Sequence, residues 1–432
     1  RWSVQESEYD KLGSAFGRMP IVIHLGDFLQ KKPIGGHSIS LIDDLKERER
    51  SNRMPEEFAS EYQQAMKVFC QTPIERLCFE FQASNRIKEP KLRALMDFIR
   101  NPPKKIPREI QAHWDSIQLK DDDSRLREER FQVGHMIGIY WSTVARWMMM
   151  RAKRDAKALR TPLVLVQAAD VSKPPMPVAA AKKLMNVANP KDSGNMHGML
   201  ALHIGMRIRL LDALDEKKTL VKDAEGDIVR IEPHPDDRER MAEGLRMSKD
   251  GFPAGIIYLT KFPKGVWVRM EKYDGAPFTK LLQGQCDTLL PADTQHLVFI
   301  EPRASDPFVF REFTVTRTGL PISHARAITS TACQGRTMRD GVIIDCGRQE
   351  GGAHPKEDDD WWLDLYVMLS RATRLEDLLL MRAPDLSFFA KGPPKTLRTQ
   401  LAKFASRTNA CRKQAEKIAA VSYTHLRAHE TP

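Results

Sequence analysis

A chain of 432 residues, 41% hydrophobic and 29% charged, can bury two or three cores, because a single core stops growing near ~250–300 residues. A net charge of +11 favours acidic partners, nucleic acid first. No window approaches the ~20 apolar residues of a membrane span, the opening Arg1-Trp2-Ser3-Val4-Gln5-Glu6 does not read as a signal peptide, and the six cysteines form neither a CxxC pair nor a zinc-spaced array, as free thiols in a reducing compartment would.

In chain order, the apolar run Pro20–Leu25 predicts a strand that ends in the turn Gly26-Asp27, with Gln30 close behind. Helices are expected over 54–70, where Pro55 and two glutamates suit a first turn, and over 89–100, where Leu92, Leu95, Met96 and Ile99 share one face. "NPPKKIPR" (101–108) breaks the second helix, and 118–130 reads as a solvated helix face or linker. A strand at 134–141, a helix at 142–160 and a strand at 161–170 then make a strand-helix-strand unit, which favours a parallel α/β sheet.

From about residue 206 the texture changes. "MRIRLL", "GDIVRI", "GIIYLT" and "GVWVRM" are short alternating runs separated by Gly, Pro and Asp, the pattern of a small antiparallel β module. The α/β texture returns near 313 with "FTVTR", "HARAITSTACQGRT" and "GVIIDC", so the β module reads as an insertion. "KEDDDWW" (356–362) reads as a surface insertion, with Trp361-Trp362 either packed in a core or free to stack on bases. From Lys391 the tail carries nine Lys/Arg against two Glu and reads as a basic helix or arm; its aperiodic end "VSYTHLRAHETP" is left out of the argument.

Three stretches carry chemistry. Gly26-Asp27-x-x-Gln30 follows an apolar strand, and its amide can donate to a phosphate oxygen and accept from a partner; an ordinary turn has the same residues. "ARAITSTACQGRTM" (325–338) sets hydroxyls beside a Gln-Gly turn, suited to a nucleic-acid backbone or a nucleotide edge, and Gly335 permits close backbone approach; a helix cap followed by a turn would read alike. In "LYVMLSRATRLEDLLLM" (365–381), Tyr366, Leu369 and Thr373 suit a buried face and Arg371 follows Ser370. An arginine so placed can stabilise a transferring phosphoryl group, or merely pair at the surface.

Taken in order, GDFLQ, AITSTACQGRT and YVMLSRAT resemble motifs III, V and VI of the RecD-like and PIF (petite integration frequency) helicases of superfamily 1, class B. "FEFQASNRIKEPKLRALMDFIR" (79–100 with its flanking Phe79) is similar to that family's motif IV region, and "LHIGMRIRLLDALDEKKTLVKDAEGDIVRI" (202–231) to the opening of its β-barrel insertion. The resemblance implies an α/β chain of tandem RecA-like domains: an incomplete first domain over 1–75, a second over 76–205 and 313–390, a barrel-like insertion over 206–312 and a basic tail over 391–432. It implies ATP and Mg²⁺ as ligands, single-stranded and fork DNA as partners, 5′ to 3′ movement, and an intracellular location that is nuclear in a eukaryote. Residue by residue, it sets Gln30, Arg86 and Arg371 around the γ-phosphate, Asp27, Gln334 and Gly335 on the nucleotide, and Thr329, Ser330 and Thr331 on the DNA backbone.

The departures are specific. No Gly-Lys dipeptide occurs anywhere, so a phosphate-cradling GxxxxGK[ST] loop is absent. No Asp-Glu pair precedes GDFLQ, and Asp215-Glu216 reads as a solvated turn. The cradle and the Mg²⁺ ligands are therefore expected in a part preceding Arg1. Ala332 stands where the family usually has lysine, and Lys31-Lys32 where it has an apolar residue and proline. Besides the carboxy-terminal portion of an ATP-dependent helicase, inactive in hydrolysis by itself, two readings stay open: a non-catalytic single-strand-binding relative, and a helicase segment of a mobile element.

Overall fold

The computed structural model describes Leu29 and residues 86–249, 255–275, 296–348 and 357–428. The elements expected at 20–25 and 54–70, together with Asp27 and Gln30, lie outside the described residues. The chain divides into two compact units: unit 1 takes residues 1–121, 333–339 and 348–432, and unit 2 takes 122–332 and 340–347.

Unit 1 opens with α1 (Pro90–Arg100) and α2 (Arg108–Ser116). Pro90 sits at the first turn, where its missing N–H costs nothing. The side chain of Glu89 caps that turn, accepting from Lys91 N–H at 3.0 Å and Leu92 N–H at 2.7 Å. The expected apolar face is the one buried: Leu92, Leu95, Met96 and Ile99, joined by Phe98. Deleting one such side chain to alanine costs roughly 2–5 kcal/mol in a packed core.

Unit 2 begins with α3 (Glu129–Val133), β1 (His135–Gly138), α4 (Trp141–Ala158), β2 (Leu163–Gln167), β3 (Ala169–Lys173) and α5 (Val178–Met185). There follow β4 (Met199–Leu202), β5 (Arg207–Leu210), β6 (Glu225–Glu232) and α6 (Arg238–Lys249). Then come β7 (Ile256–Tyr258), β8 (Gly265–Met270), β9 (Leu297–Ile300), β10 (Arg303–Ala304) and β11 (Phe308–Phe310). The last strands of this unit are β12 (Phe313–Gly319), β13 (Ile322–His324), β14 (Ala327–Thr329) and β15 (Val342–Asp345).

A short parallel sheet runs β14-β1-β15, with Ile137 opposite both Ile328 and Ile344. Its strands are almost wholly buried, as parallel strands usually are, and α4 lays Val144 and Met148 against Ala327. Glycine at 134 is required by a close approach: a Cβ there would stand 1.9 Å from the Gly341 carbonyl oxygen. Because both edges of β1 are taken by strands from far along the chain, the expected strand-helix-strand pairing of 134–141 with 161–170 does not form. Instead β2 joins a different sheet, antiparallel to β4 and parallel to β7.

The expected β module is present as an open five-stranded sheet, β13-β5-β6-β8-β9, antiparallel at every pairing. Its strand order does not close, so among the described residues it is not a barrel. "GIIYLT" forms β7, which pairs with β2 rather than joining this sheet, and one large core joins the two sheets, with Val164 and Leu202 packed among Ile208, Ile228, Val266 and Ile322. "FTVTR" does not return to a parallel sheet: β12 pairs antiparallel with β3, β10 and β11, and α5 covers one face through Leu184, Phe313 and Val315.

Unit 1 resumes with α7 (Asp358–Leu369), β16 (Leu378–Met381), α8 (Ser387–Ala390) and α9 (Lys395–Ala428). The acidic stretch expected as a surface loop is the first turn of α7, where three aspartates meet the positive end of the helix dipole. From Trp362 to Leu369 every residue of α7 is buried, the signature of a helix enclosed on all sides. Trp362 stacks on Tyr366 with centroids 5.3 Å apart, so it is a core residue; Trp361 lies 4.6 Å from the ring of Phe388. β16 is tied to the end of α2 by Leu380 N–H to Ile117 O at 2.7 Å and Leu119 N–H to Leu380 O at 2.8 Å.

Arg317 on β12 is 0% exposed and reaches Asp170 of β3 through two bonds of 2.7 and 2.8 Å, with the carbonyls of Met196 and Leu184 each at 3.2 Å. Removing one partner of such a pair strands the other, so Arg317→Ala is expected to destabilise unit 2 by roughly 3–5 kcal/mol. Urea unfolding measures this; a loss below about 1 kcal/mol, the range of an exposed ion pair, would show that the pair is not what holds β3 to β12.

Candidate functional site

The site assembles in unit 1 around the segment 333–339. Arg336 N–H donates to Cys333 O at 3.1 Å, closing a four-residue turn in which Gly335 has φ +81°. Those are the marks of a type II turn, whose third position needs a positive φ and therefore favours glycine. A Cβ on Gly335 would meet nothing within 4 Å. The requirement at this position is thus conformational, and the turn presents its backbone to open space. Gln334 is half-buried at the second position of the turn.

Two arginines distant in sequence converge on this segment. Arg86, half-buried, donates from Nε to Thr337 Oγ1 at 2.9 Å and from Nη1 to Ser370 O at 3.2 Å. Arg371, 2% exposed, donates from Nε to Val367 O at 2.8 Å, from Nη1 to Arg336 O at 3.2 Å and from Nη2 to Ser370 Oγ at 2.5 Å. Its own carbonyl accepts from Met338 N–H at 3.0 Å. The end of α7 places Arg371 here: Ser370 N–H still bonds Tyr366 O at 3.0 Å, and the guanidinium covers the carbonyl of Val367, one of the helix's final acceptors.

Glu89 completes the frame. Besides capping α1, it accepts from Leu375 N–H at 3.4 Å, so it joins the stretch after Arg86 to the stretch after Arg371. Burial pushes its carboxyl up, but the N–H groups of Leu92, Lys91 and Leu375 outweigh that effect and hold it below its ordinary value. Its charge is spent on the backbone. Arg86 accordingly keeps a positive charge bonded to two neutral oxygens, which leaves it suited to an anion.

Of the residues singled out from sequence, Arg86, Gln334, Gly335 and Arg371 therefore belong to one neighbourhood. Asp27 and Gln30 lie outside the described residues. Thr329, Ser330 and Thr331 belong to unit 2, at the end of β14. There Ser330 N–H donates to Gly138 O at 2.9 Å and Ala332 N–H to Thr329 Oγ1 at 3.3 Å. Thr329 and Ser330 are buried, whereas Thr331 is exposed. Sequence reasoning missed Thr337, Ser370 and Glu89 as members of the site, since each is tied into it by a partner more than 250 positions away.

Unit 2 also holds a cavity of about 60 Å³ lined by His197, His324, Met148, Met149, Met199 and Met206 among others. Burial, then the charge of Arg151, pushes His324 down to about 3, so it is neutral at pH 7. Its Nδ1 accepts from Arg326 N–H at 3.1 Å, which puts the ring proton on Nε2 and leaves that nitrogen no lone pair for a metal. His197 Nε2 is engaged with Ser323 Oγ at 2.9 Å. Among the described residues no group of three or more His, Cys, Asp and Glu is placed to hold a metal ion, and no helix is long and apolar enough to cross a membrane.

No protein-family model matches the sequence, and no curated protein does either. Among solved structures, the chain is similar to the Pif1 helicase from Candida albicans, at 13% identity and a TM-score of 0.44 over 74% of this chain and 58% of that one. It is also similar to Bacteroides Pif1 bound to ssDNA, at 14% identity and a TM-score of 0.43 over 79% and 62% of the two chains. A third match, the Pif1 helicase from Bacteroides in complex with ADP-AlF3 and ssDNA, has 15% identity and a TM-score of 0.41 over 74% and 55%. The chain spans less than two thirds of the length of each. With every TM-score below 0.5, the functional reading rests on the residues described above.

A folded-state carboxyl held below its unfolded value stabilises the fold above that unfolded value, and the contribution is lost as pH falls through the folded one. Unit 1 is therefore expected to lose stability through Glu89 below its ordinary value of 4.5. Circular-dichroism melts taken down through and below 4.5 should fall more steeply for the native chain than for Glu89→Gln. At neutral pH Glu89→Ala should cost about 0.5–2 kcal/mol, as loss of a helix cap does. Parallel pH profiles for the native chain and Glu89→Gln would refute the assignment.

Proposed function

We propose that this chain is the carboxy-terminal portion of an ATP-dependent DNA helicase, in which Arg86, Arg371 and the turn at Gln334-Gly335 face the terminal phosphate of ATP. The observation that carries the reading is the convergence of two arginines, from positions 86 and 371, on one segment whose glycine opens its backbone to space. The residues present fit a phosphate. Arg86 is a cation bonded to a hydroxyl and a carbonyl, and a backbone turn with a positive φ can approach a ligand closely. When bound, ATP would supply the free energy of phosphoryl transfer; this chain's part is to sense the terminal phosphate from one side. Asp27 and Gln30 belong to the same reading through the resemblance of GDFLQ, and Mg²⁺ would be held elsewhere, by ligands outside the described residues.

Single-stranded and fork DNA are the proposed partners. The net charge of +11 supports this, and Thr331, exposed at the end of β14, is the best placed of the three hydroxyl residues to meet a DNA backbone. RecA-like architecture, 5′ to 3′ movement, an antiparallel β insertion acting on the strand, and an intracellular location, nuclear in a eukaryote, are parts of the same proposal. A second reading, a non-catalytic single-strand-binding relative, is favoured by one observation: the 432 residues contain no Gly-Lys dipeptide, so the loop that binds β- and γ-phosphates is not in this sequence.

Both readings predict that the purified chain binds oligothymidylate with a log–log salt slope of ~0.7 per phosphate neutralised; fluorescence anisotropy with a flat salt response would sink both. The motor reading alone predicts the effect of Arg371→Ala in a protein that also carries the phosphate-cradling loop. Turnover should fall by about 10³ or more while DNA affinity stays within a few-fold. Surviving turnover would remove Arg371 from the phosphate site.

A further inference from the structure

We propose that Ser370 is the positioning residue of the phosphate-facing site, fixing Arg371 through its hydroxyl and Arg86 through its carbonyl. This rests on the reading of the two arginines as phosphate-facing groups. The Ser370 hydroxyl is committed to Val367 O and Arg371 Nη2, so it acts through its neighbours rather than as a ligand. A hydroxyl has one proton to give, and that of Ser370 goes to Val367 O at 2.9 Å. Its lone pairs are thereby turned toward Arg371 Nη2, 2.5 Å away. The direction of the hydroxyl is thus set by the end of α7, and it joins Val367 O and Arg336 O in orienting the guanidinium.

The carbonyl of the same residue accepts from Arg86 Nη1 at 3.2 Å, and the Ser370 N–H is fixed by Tyr366 O. Two cations bonded to one residue repel each other, and the carbonyl and hydroxyl dipoles between them offset part of that repulsion. The two arginines nevertheless depend on Ser370 differently. Arg86 has a second anchor in Thr337 Oγ1 and uses only the backbone of Ser370, which survives any side-chain change. Arg371 loses an acceptor when the hydroxyl goes. Removing the hydroxyl should therefore loosen Arg371 and spare Arg86, an asymmetry that general unfolding would not produce.

The test uses the full chain, with tripolyphosphate as probe and calorimetry as readout, alongside NMR of the arginine Nε–H signals. Ser370→Ala should bind tripolyphosphate roughly tenfold more weakly, the scale of one hydrogen bond to a charged group. The Arg371 signal should shift or broaden while that of Arg86 stays in place. Ser370→Thr, which keeps the hydroxyl, should restore binding to within a few-fold. If Ser370→Ala does not fold, Ser370→Cys, whose sulfur is a weak acceptor, carries the same comparison. Native-strength binding and an unmoved Arg371 signal in Ser370→Ala, with binding lost in Arg371→Ala, would overturn the role of Ser370 alone. Absence of binding by the unmutated chain would overturn the phosphate site and this role together.

Discussion

A guanidinium bonded to neutral oxygens keeps its charge, and the candidate site depends on that condition at Arg86. The hydroxyl of Thr337 and the carbonyl of Ser370 fix the side chain in direction without neutralising it. The nearest carboxylate in sequence, Glu89, is diverted to three backbone N–H groups, so the fold is held together by an acid that leaves the base unspent. Beside it, Gly335 turns the backbone toward open space. A positive group, oriented beside an open turn and bonded to no carboxylate among the described residues, is an arrangement suited to an anion.

Unit 2 uses its charges in the opposite way. Arg317 is consumed by Asp170 and two carbonyls. Asp237, fully buried, is consumed by the N–H groups of Thr260 and Lys261 and by the Thr260 hydroxyl. Arg151 is bonded to Asp155 and to the carbonyl of Gln132. Each of these groups fastens one strand or helix to another, and their satisfaction explains why they are structural. The contrast with Arg86 separates a charge that holds the fold from one that is available to a ligand.

Much of this was legible in the sequence where the signal is local. The buried stripe of α1, the turn at Gly335 and the burial of Tyr366 and Leu369 each follow from spacing or from a single residue's conformational needs, whereas the Ser or Thr cap expected for α4 is not made: the helix starts at Trp141 with no side-chain cap. What was hidden depends on partners. Alternation identifies β1, β2 and β7 as strands but says nothing about which edges they share, so 134–141 and 161–170 read as neighbours although they lie in different sheets. Three aspartates before two tryptophans read as a loop because charge masks a helix start that the dipole rewards. Ser370 and Thr337 are unremarkable residues in sequence; their value comes from the arginines they face.

The discontinuity of unit 1 has a consequence for how the protein is made. Helix α1 packs against α8, and its cap is tied to Leu375, so these partners reach it only after Leu375 and Ser387–Ala390 have been synthesised. Unit 2, by contrast, is complete once β15 has emerged. On the ribosome α2 can pack on Pro90–Arg100 as soon as it emerges, but the contact with α8 waits through the folding of everything between. Nascent-chain handling, rather than equilibrium stability, is where this topology places its greatest demand on the cell.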